Sequence, residues 1–217
     1  MNAAELQARS EIVAVSQALD AAGLVPNKSG NVSCRRPDGF LITPAGVPYR
    51  DLSAGQIVPL ALDSAPEPGD LRPSSEWRMH AAIYARRPDV SAIVHTHSPR
   101  ATALACAGRG IPSFHYMIAL AGGDVRCMPY ATFGTAELAE SAVRGLEGRR
   151  ATLLANHGVI AVGATLNAAH AVAIEVENLA VEYLAMLAAG LEPALLGEAE
   201  LQRVIDKFAD YGRLARS

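Results

Sequence analysis

Residues 151–189 limit the fold more than any other stretch of the chain. "ATLLANHGVIAVG" contains two short apolar runs that meet at Asn156-His157-Gly158, the pattern of paired strands joined by a tight turn. The segment after it, "LNAAHAVAIEVENLAVEYLAMLAA", reads as a long helix that is apolar on nearly every face. Such a helix has to be buried, and the strands beside it supply a surface to bury it on. No uninterrupted apolar run reaches the roughly eighteen residues of a membrane-spanning helix, so the burial is expected in a protein core.

Helical and strand patterns alternate through the rest of the chain. Helical spacing runs from Ala4 to Ala22 and stops at Gly23; "NVSCR" and "FLIT" flank Asp38-Gly39 as a hairpin. After "QIVPLAL" and a Pro/Glu/Gly/Asp loop over 63–73, "SSEWRMHAAIYARRP" reads as a helix closed by Pro88, and the strand "VSAIVHTH" follows it. A helix near 98–107, a strand over Val125–Met128 and a helix over Thr135–Leu146 complete an α/β pattern. With 217 residues, no internal repeat and no low-complexity linker, one domain over 1–217 is expected, its tail from about Gly190 docking as a last helix over the active site.

The bulk properties narrow the function classes. Net charge is −3, and basic residues come in scattered pairs such as Arg35-Arg36 and Arg149-Arg150, which offers no stripe for a nucleic acid backbone. Three cysteines without CxxC spacing argue against a disulfide framework or a thiolate zinc site, and with no export signal the cytoplasm is the expected compartment. No Walker loop and no GxGxxG segment supports a nucleotide cofactor.

Chemistry gathers in "IVHTHSP". On a strand, His95 and His97 project from one face and Thr96 from the other. An HxH pair alone is more often two packed histidines than a metal clamp. His157, in the strand-to-strand turn beside Gly158, offers a third ligand; three imidazoles with an open position suit a catalytic metal. His80, one helical turn after Glu76, and His170 in an alanine-rich helix read as structural, and His115 stays unassigned. Glu76 near a helix start is explained in part by the macrodipole, but the position does not fit a capping box: with Ser74 or Ser75 as N-cap, Trp77 or Arg78 falls at N3. A carboxylate beside a dication can shuttle a carbon-bound proton if a closed apolar site raises its pKa toward neutrality. "NKSGN" (27–31), "ITPAG" (42–46) and Ser74-Ser75 each combine hydroxyls or glycine with backbone N–H groups suited to an anion, though each alone is an ordinary turn.

Taken together and in order, "SGNVS", "LITPAGVPY", "SSEWRMHAAIY", "VHTHSP", "IPSFHYMIALAGG", "PYATFGT", "LLANHGVI" and the closing "KFADYG" resemble the class II aldolase family of L-fuculose-1-phosphate aldolase. The resemblance implies an α/β domain with a central, mainly antiparallel sheet flanked by helices on both faces, and a homotetramer with active sites between subunits. It places zinc on His95, His97 and His157 with Glu76 as the catalytic carboxylate and a further metal contact. Manganese, cobalt or iron would also suit the imidazoles. It places substrate phosphate on the segments of Lys28, Ser29, Gly30 and Asn31, of Ala45 and Gly46, and of Ser74 and Ser75, and it matches Tyr116 and Tyr211 to tyrosines donated by a neighbouring subunit. Lys28 and Ala45 stand where the family has threonines, so a hydroxyl is lost and an ammonium gained. The activity implied is reversible cleavage of a ketose 1-phosphate to dihydroxyacetone phosphate and a short aldehyde such as lactaldehyde or acetaldehyde. A pentulose-5-phosphate 4-epimerase or a methylthioribulose-1-phosphate dehydratase on the same scaffold, and a non-catalytic metal or sugar-phosphate binding protein, are the alternatives. Glu76 favours the aldolase.

Overall fold

A computed structural model describes residues 2–63, 65–66 and 71–211, with side chains through Phe208. Among the described residues seven strands form one sheet: β1 (Asn31–Arg36), β2 (Gly39–Ile42), β3 (Val58–Leu60), β4 (Ala92–Thr96), β5 (Arg126–Met128), β6 (Ala151–Leu154) and β7 (Gly158–Gly163), in the spatial order β3-β2-β1-β4-β7-β6-β5. The described residues also form six α-helices: α1 (Ala3–Ala21), α2 (Trp77–Arg86), α3 (Pro99–Cys106), α4 (Ala136–Gly145), α5 (Leu166–Ala188) and α6 (Glu198–Tyr211), the last packed on the 3-10 turn Tyr116–Ala121. The hairpin at Asp38-Gly39 and the turn at Asn156-His157-Gly158 fall where turn chemistry puts them.

The expected sheet needs one correction. It is mixed, because β5 runs parallel to β6 while the other pairings are antiparallel. The cause is the connection: α4 lies between β5 and β6 in the chain and carries it back across the sheet, which a parallel pair requires and a short turn cannot supply.

Alternation sorts the strand side chains onto two faces, each with its own core. Val32, Val94, Val159 and Ala161 turn toward α1, α3 and the apolar helix α5, whose Val172, Val176 and Leu179 are buried there. Ile93, Ile160 and Val162 turn the other way, against Met79 and Ile83 of α2 and Leu138 and Ala142 of α4. Burying such side chains contributes about 1.5–3 kcal/mol each relative to exposure, so the two cores hold the sheet between helical layers on both faces. β4 sits centrally, hydrogen-bonded to β1 on one side and β7 on the other. Cys34, Cys106 and Cys127 are free thiols, and among the described residues no helix is long and apolar enough to cross a membrane.

One close approach joins the sheet to the histidines. At Gly158, the first residue of β7, a Cβ would lie 2.4 Å from the Thr96 carbonyl oxygen, 3.1 Å from His97 Cδ2 and 3.3 Å from His95 Cε1. Gly158→Ala is therefore expected to lower stability by about 1–3 kcal/mol, as overpacking does, measured by urea unfolding of the metal-free protein. An unchanged midpoint would contradict the contact.

Candidate metal centre and active site

β4 aims its odd-numbered side chains at α2, so Ile93 and His95 share a face, and His97 continues that direction just past the strand end. Thr96 points to the opposite face and is fully buried, as alternation requires. His157 enters from the β6–β7 turn, where Asn156 adopts the left-handed conformation (φ 56°) that asparagine tolerates well. The Asn156 N–H donates to the Ala105 carbonyl at the end of α3, which anchors the turn. The three rings then stand almost perpendicular to one another, with centroids 4.9, 4.9 and 5.0 Å apart.

Glu76 completes the group from the N-terminus of α2. It occupies the N-cap position, yet its side chain makes no capping bond. It reaches the cage instead: Oε2 lies 3.1 Å from His95 Nε2 and Oε1 lies 3.1 Å from His157 Nε2. His95 Nδ1 donates to the Val159 carbonyl at 2.8 Å, so a neutral His95 presents a bare Nε2, 3.0 Å from His97 Nε2. One ligand atom from each of Glu76, His95, His97 and His157 can be chosen so that all lie within 4.8 Å of one another.

These residues fit a dication. Glu76 Oε1 is buried without a hydrogen-bond partner, and the lone pairs of His95 and Glu76 converge with too few protons between them. Protonation does not resolve the crowding. Burial lowers the His95 pKa, but the Glu76 charge, contact with the accepting Glu76 carboxylate and the hydrogen bond that the ring donates to the Val159 carbonyl outweigh it and raise the ring overall; His97 is pushed down to about 3 by burial and then by the charges of His95 and His157. A tetrahedral zinc site with bonds of ~2.0 Å has ligand–ligand edges of about 3.3 Å, close to these spacings.

Glu76 itself departs from expectation. Burial raises its pKa, but the charge of His95 and the close approach of the His157 and His95 ring nitrogens, each 3.1 Å from a carboxylate oxygen, outweigh burial and hold the carboxyl well below the usual range rather than near neutrality. Positive charge in the cage, whether imidazolium or metal, keeps Glu76 an acceptor.

A cavity of ≈ 340 Å³ opens above Glu76, His97 and His157, and Lys28, Ser29, Gly30, Asn31, Ala45, Gly46, Ser74 and Ser75 all line it. Two of these segments are stitched together: the Ala45 N–H donates to the Arg72 carbonyl, and the Ser74 N–H to that of Thr43. Gly30 (φ 83°) passes so close that a Cβ would meet the His95 carbonyl oxygen at 2.5 Å. The Asn31 amide turns inward, its Nδ2 donating to Glu76 Oε2 at 2.9 Å. Sequence reasoning missed Tyr130 and Phe133, aromatic rim residues that are 61 % and 64 % exposed, together with Pro44, Ala131 and Asn156. Their signal was an aromatic pair in an otherwise unpatterned loop. Tyr116 does not join this group; it is half-exposed on a 3-10 turn (Tyr116–Ala121), stacked on Phe208 of α6. Tyr211 ends α6, and its side chain lies outside the described residues.

Comparison with known proteins assigns this arrangement. Residues 10–184 match the family described as Class II Aldolase and Adducin N-terminal domain. The chain belongs to the class II aldolase family. A relative from Rhodospirillum rubrum, named 5-methylthioribulose-1-phosphate/5-deoxyribulose-1-phosphate aldolase, is 49% identical over 98% of this chain and 96% of its own. L-fuculose phosphate aldolase of Escherichia coli is 48% identical over 88% of each chain. A solved L-fuculose 1-phosphate aldolase superposes with a TM-score of 0.89 at 38% identity, covering 94% of this chain and 96% of that one. This class II aldolase thus matches its relatives along nearly the whole chain.

Burial makes its stability depend on pH. His80 is wholly buried one turn along α2 from Glu76, and burial, followed by the charge of His95, pushes it down to about 3. His97 shifts to a similar value. From pH ~6.5 down to ~3 the unfolded chain takes up protons that these folded rings refuse, so stability should fall on acidification by up to about 1.4 kcal/mol per pH unit for each ring. His95, with its raised pKa, acts above that window, since its contribution is complete below ~6.5 and is lost as pH rises. Urea unfolding of the metal-free protein at several pH values checks this; a flat profile between pH 6.5 and 4 would contradict it.

Proposed function

We propose that the protein is a metal-dependent aldolase that reversibly cleaves a ketose 1-phosphate to dihydroxyacetone phosphate and a short aldehyde. The observation that carries this reading is the cage of three imidazoles and a carboxylate at the floor of a cavity walled by hydroxyls and backbone N–H groups. His95, His97 and His157 would hold the metal, with Glu76 beside them, and zinc suits three imidazoles and an open position. The bound dication supplies Lewis-acid polarisation of the substrate's carbonyl oxygen.

The chain's own residues divide the remaining work. The Gly30, Gly46 and Ser74-Ser75 segments offer hydroxyls and N–H groups to the substrate phosphate, and Lys28 adds a point charge at the mouth, in place of a lost hydroxyl. In the cleavage direction the hydroxyl across the breaking C–C bond passes its proton by way of a tyrosine hydroxyl to solvent and becomes the aldehyde. The bond's electron pair passes to the carbon next to the ketone, and Glu76, a carboxylate at rest, relays to that carbon a proton it takes up from solvent at the open cavity. In the synthetic direction Glu76 removes that proton. Tyr116 and Tyr211, donated by neighbouring subunits of a homotetramer, would assist at the hydroxyl. The exposure of Tyr116, away from its own chain's cage, supports such donation.

Relatives named for L-fuculose phosphate and for 5-deoxyribulose 1-phosphate support substrates that release lactaldehyde or acetaldehyde. They favour an aldolase over an epimerase or dehydratase on the same scaffold. A cytoplasmic place follows for an enzyme of sugar phosphates.

Glu76→Gln should cut turnover by about 100-fold or more while one zinc per chain is retained, read by a coupled reductase assay for dihydroxyacetone phosphate and by metal analysis. Near-wild-type turnover with zinc bound would refute the proton role.

A further inference from the structure

Helix α2 and strand β1 face each other with matched polar rungs. Glu76, His80 and Tyr84 stand four residues apart on α2 and share a face. Asn31 and Ser33 stand two apart on β1 and share the face turned toward α2. A helical turn (~5.4 Å) and two strand residues (~6.6 Å) are similar in length, so the side chains interleave in one row. Tyr84 Oη lies 2.8 Å from Ser33 Oγ, Ser33 Oγ lies 2.6 Å from His80 Nδ1, His80 Nε2 bonds Asn31 Oδ1, and Asn31 Nδ2 donates to Glu76 Oε2. Water does not reach the row: Ser33 and His80 are fully buried, Tyr84 and Asn31 almost so.

One assignment of protons satisfies every member. Glu76 as carboxylate only accepts, so Asn31 must present its NH₂ to Glu76 and its oxygen to His80. His80 must then donate from Nε2, and as a neutral ring it accepts at Nδ1 from the Ser33 hydroxyl. Ser33, its proton used, accepts from Tyr84. Every donor points toward Glu76. A reversed Asn31 amide would set an oxygen against the carboxylate and an NH₂ against an N–H, losing two buried hydrogen bonds at once.

We propose that His80 is a positioning residue: held in its Nε2–H form by Ser33 and Tyr84, it locks the Asn31 amide so that Glu76 is held in the metal cage in one orientation. The proposal rests on the reading of the cage as a metal-dependent aldolase centre, and it assigns a task to a histidine that touches neither metal nor substrate.

The test compares His80→Leu, which removes the donor, with His80→Gln, whose amide N–H reaches about as far as Nε2, and with Ser33→Ala, which frees the His80 tautomer. Each is purified with zinc and with cobalt(II), and three quantities are read: zinc affinity by chelator competition, the visible spectrum of the cobalt form, and kcat and KM for ketose 1-phosphate cleavage. His80→Leu should weaken zinc about tenfold or more, alter the cobalt spectrum and lower kcat by a similar factor with KM changed less than about threefold. Ser33→Ala should move the same readouts in the same direction, and His80→Gln should recover most of the loss. Wild-type zinc affinity and cobalt spectrum in folded His80→Leu, or in folded Ser33→Ala should His80→Leu not fold, would overturn the proposal even if melting temperature fell. So would His80→Gln behaving no better than His80→Leu. If the unaltered enzyme releases no triose phosphate, the aldolase reading fails, and the zinc and cobalt measurements still decide the role of His80.

Discussion

A carboxylate and three imidazole nitrogens cannot occupy so small a volume, largely out of water, unless positive charge lies among them. Much of the architecture follows from holding these groups there. β4 supplies two of the rings and is fixed on both sides by antiparallel neighbours. Glu76 stands at the N-cap of α2 and turns its carboxylate to the cage instead of capping the helix. The β6–β7 turn delivers His157, and Gly158 leaves the space that a methyl group would take from the His95 and His97 rings.

The polar row between β1 and α2 follows from the same constraint. A carboxylate at the cage wall has to be satisfied from behind, and on that face of β1 Asn31 and Ser33 replace the apolar residues found elsewhere on the sheet. Burying an asparagine, a serine, a histidine and a tyrosine hydroxyl costs stability unless every polar atom is paired. The apolar packing of Met79 and Ile83 on the same helix offsets that cost. Above the cage the character changes. The mouth is lined by small and hydroxyl-bearing residues with Lys28 as the one lysine or arginine among its described lining residues, and Tyr130 and Phe133 form an apolar rim. Charge is concentrated at the floor, and shape is set at the edge.

Much of this was legible in the sequence, for identifiable reasons. His95 and His97 are readable because a strand has a period of two, and His157 because a glycine follows it in a turn between apolar runs. Glu76 stands out because it fails the capping pattern its position invites. What could not be read depends on tertiary placement. β5 is only three residues long, and its direction is decided by the α4 crossover, not by its own pattern. The ionisation of Glu76 reflects burial and imidazole charge acting in opposite directions, a balance no local spacing encodes. His80 looks like an ordinary helix residue until β1 brings Ser33 and Asn31 against it. Tyr130 and Phe133 lie in a loop without periodicity, and their place at the cavity mouth depends on how that loop folds over α2.

X-ray absorption at the zinc edge, on protein loaded with one zinc per chain, tests the cage most directly. The structure predicts a shell of nitrogen and oxygen at about 2.0 Å, with the outer-shell scattering of three imidazoles and no sulfur. A shell containing sulfur at about 2.3 Å, or fewer than three imidazoles in the saturated protein, would contradict the assignment of His95, His97 and His157 as the metal's ligands.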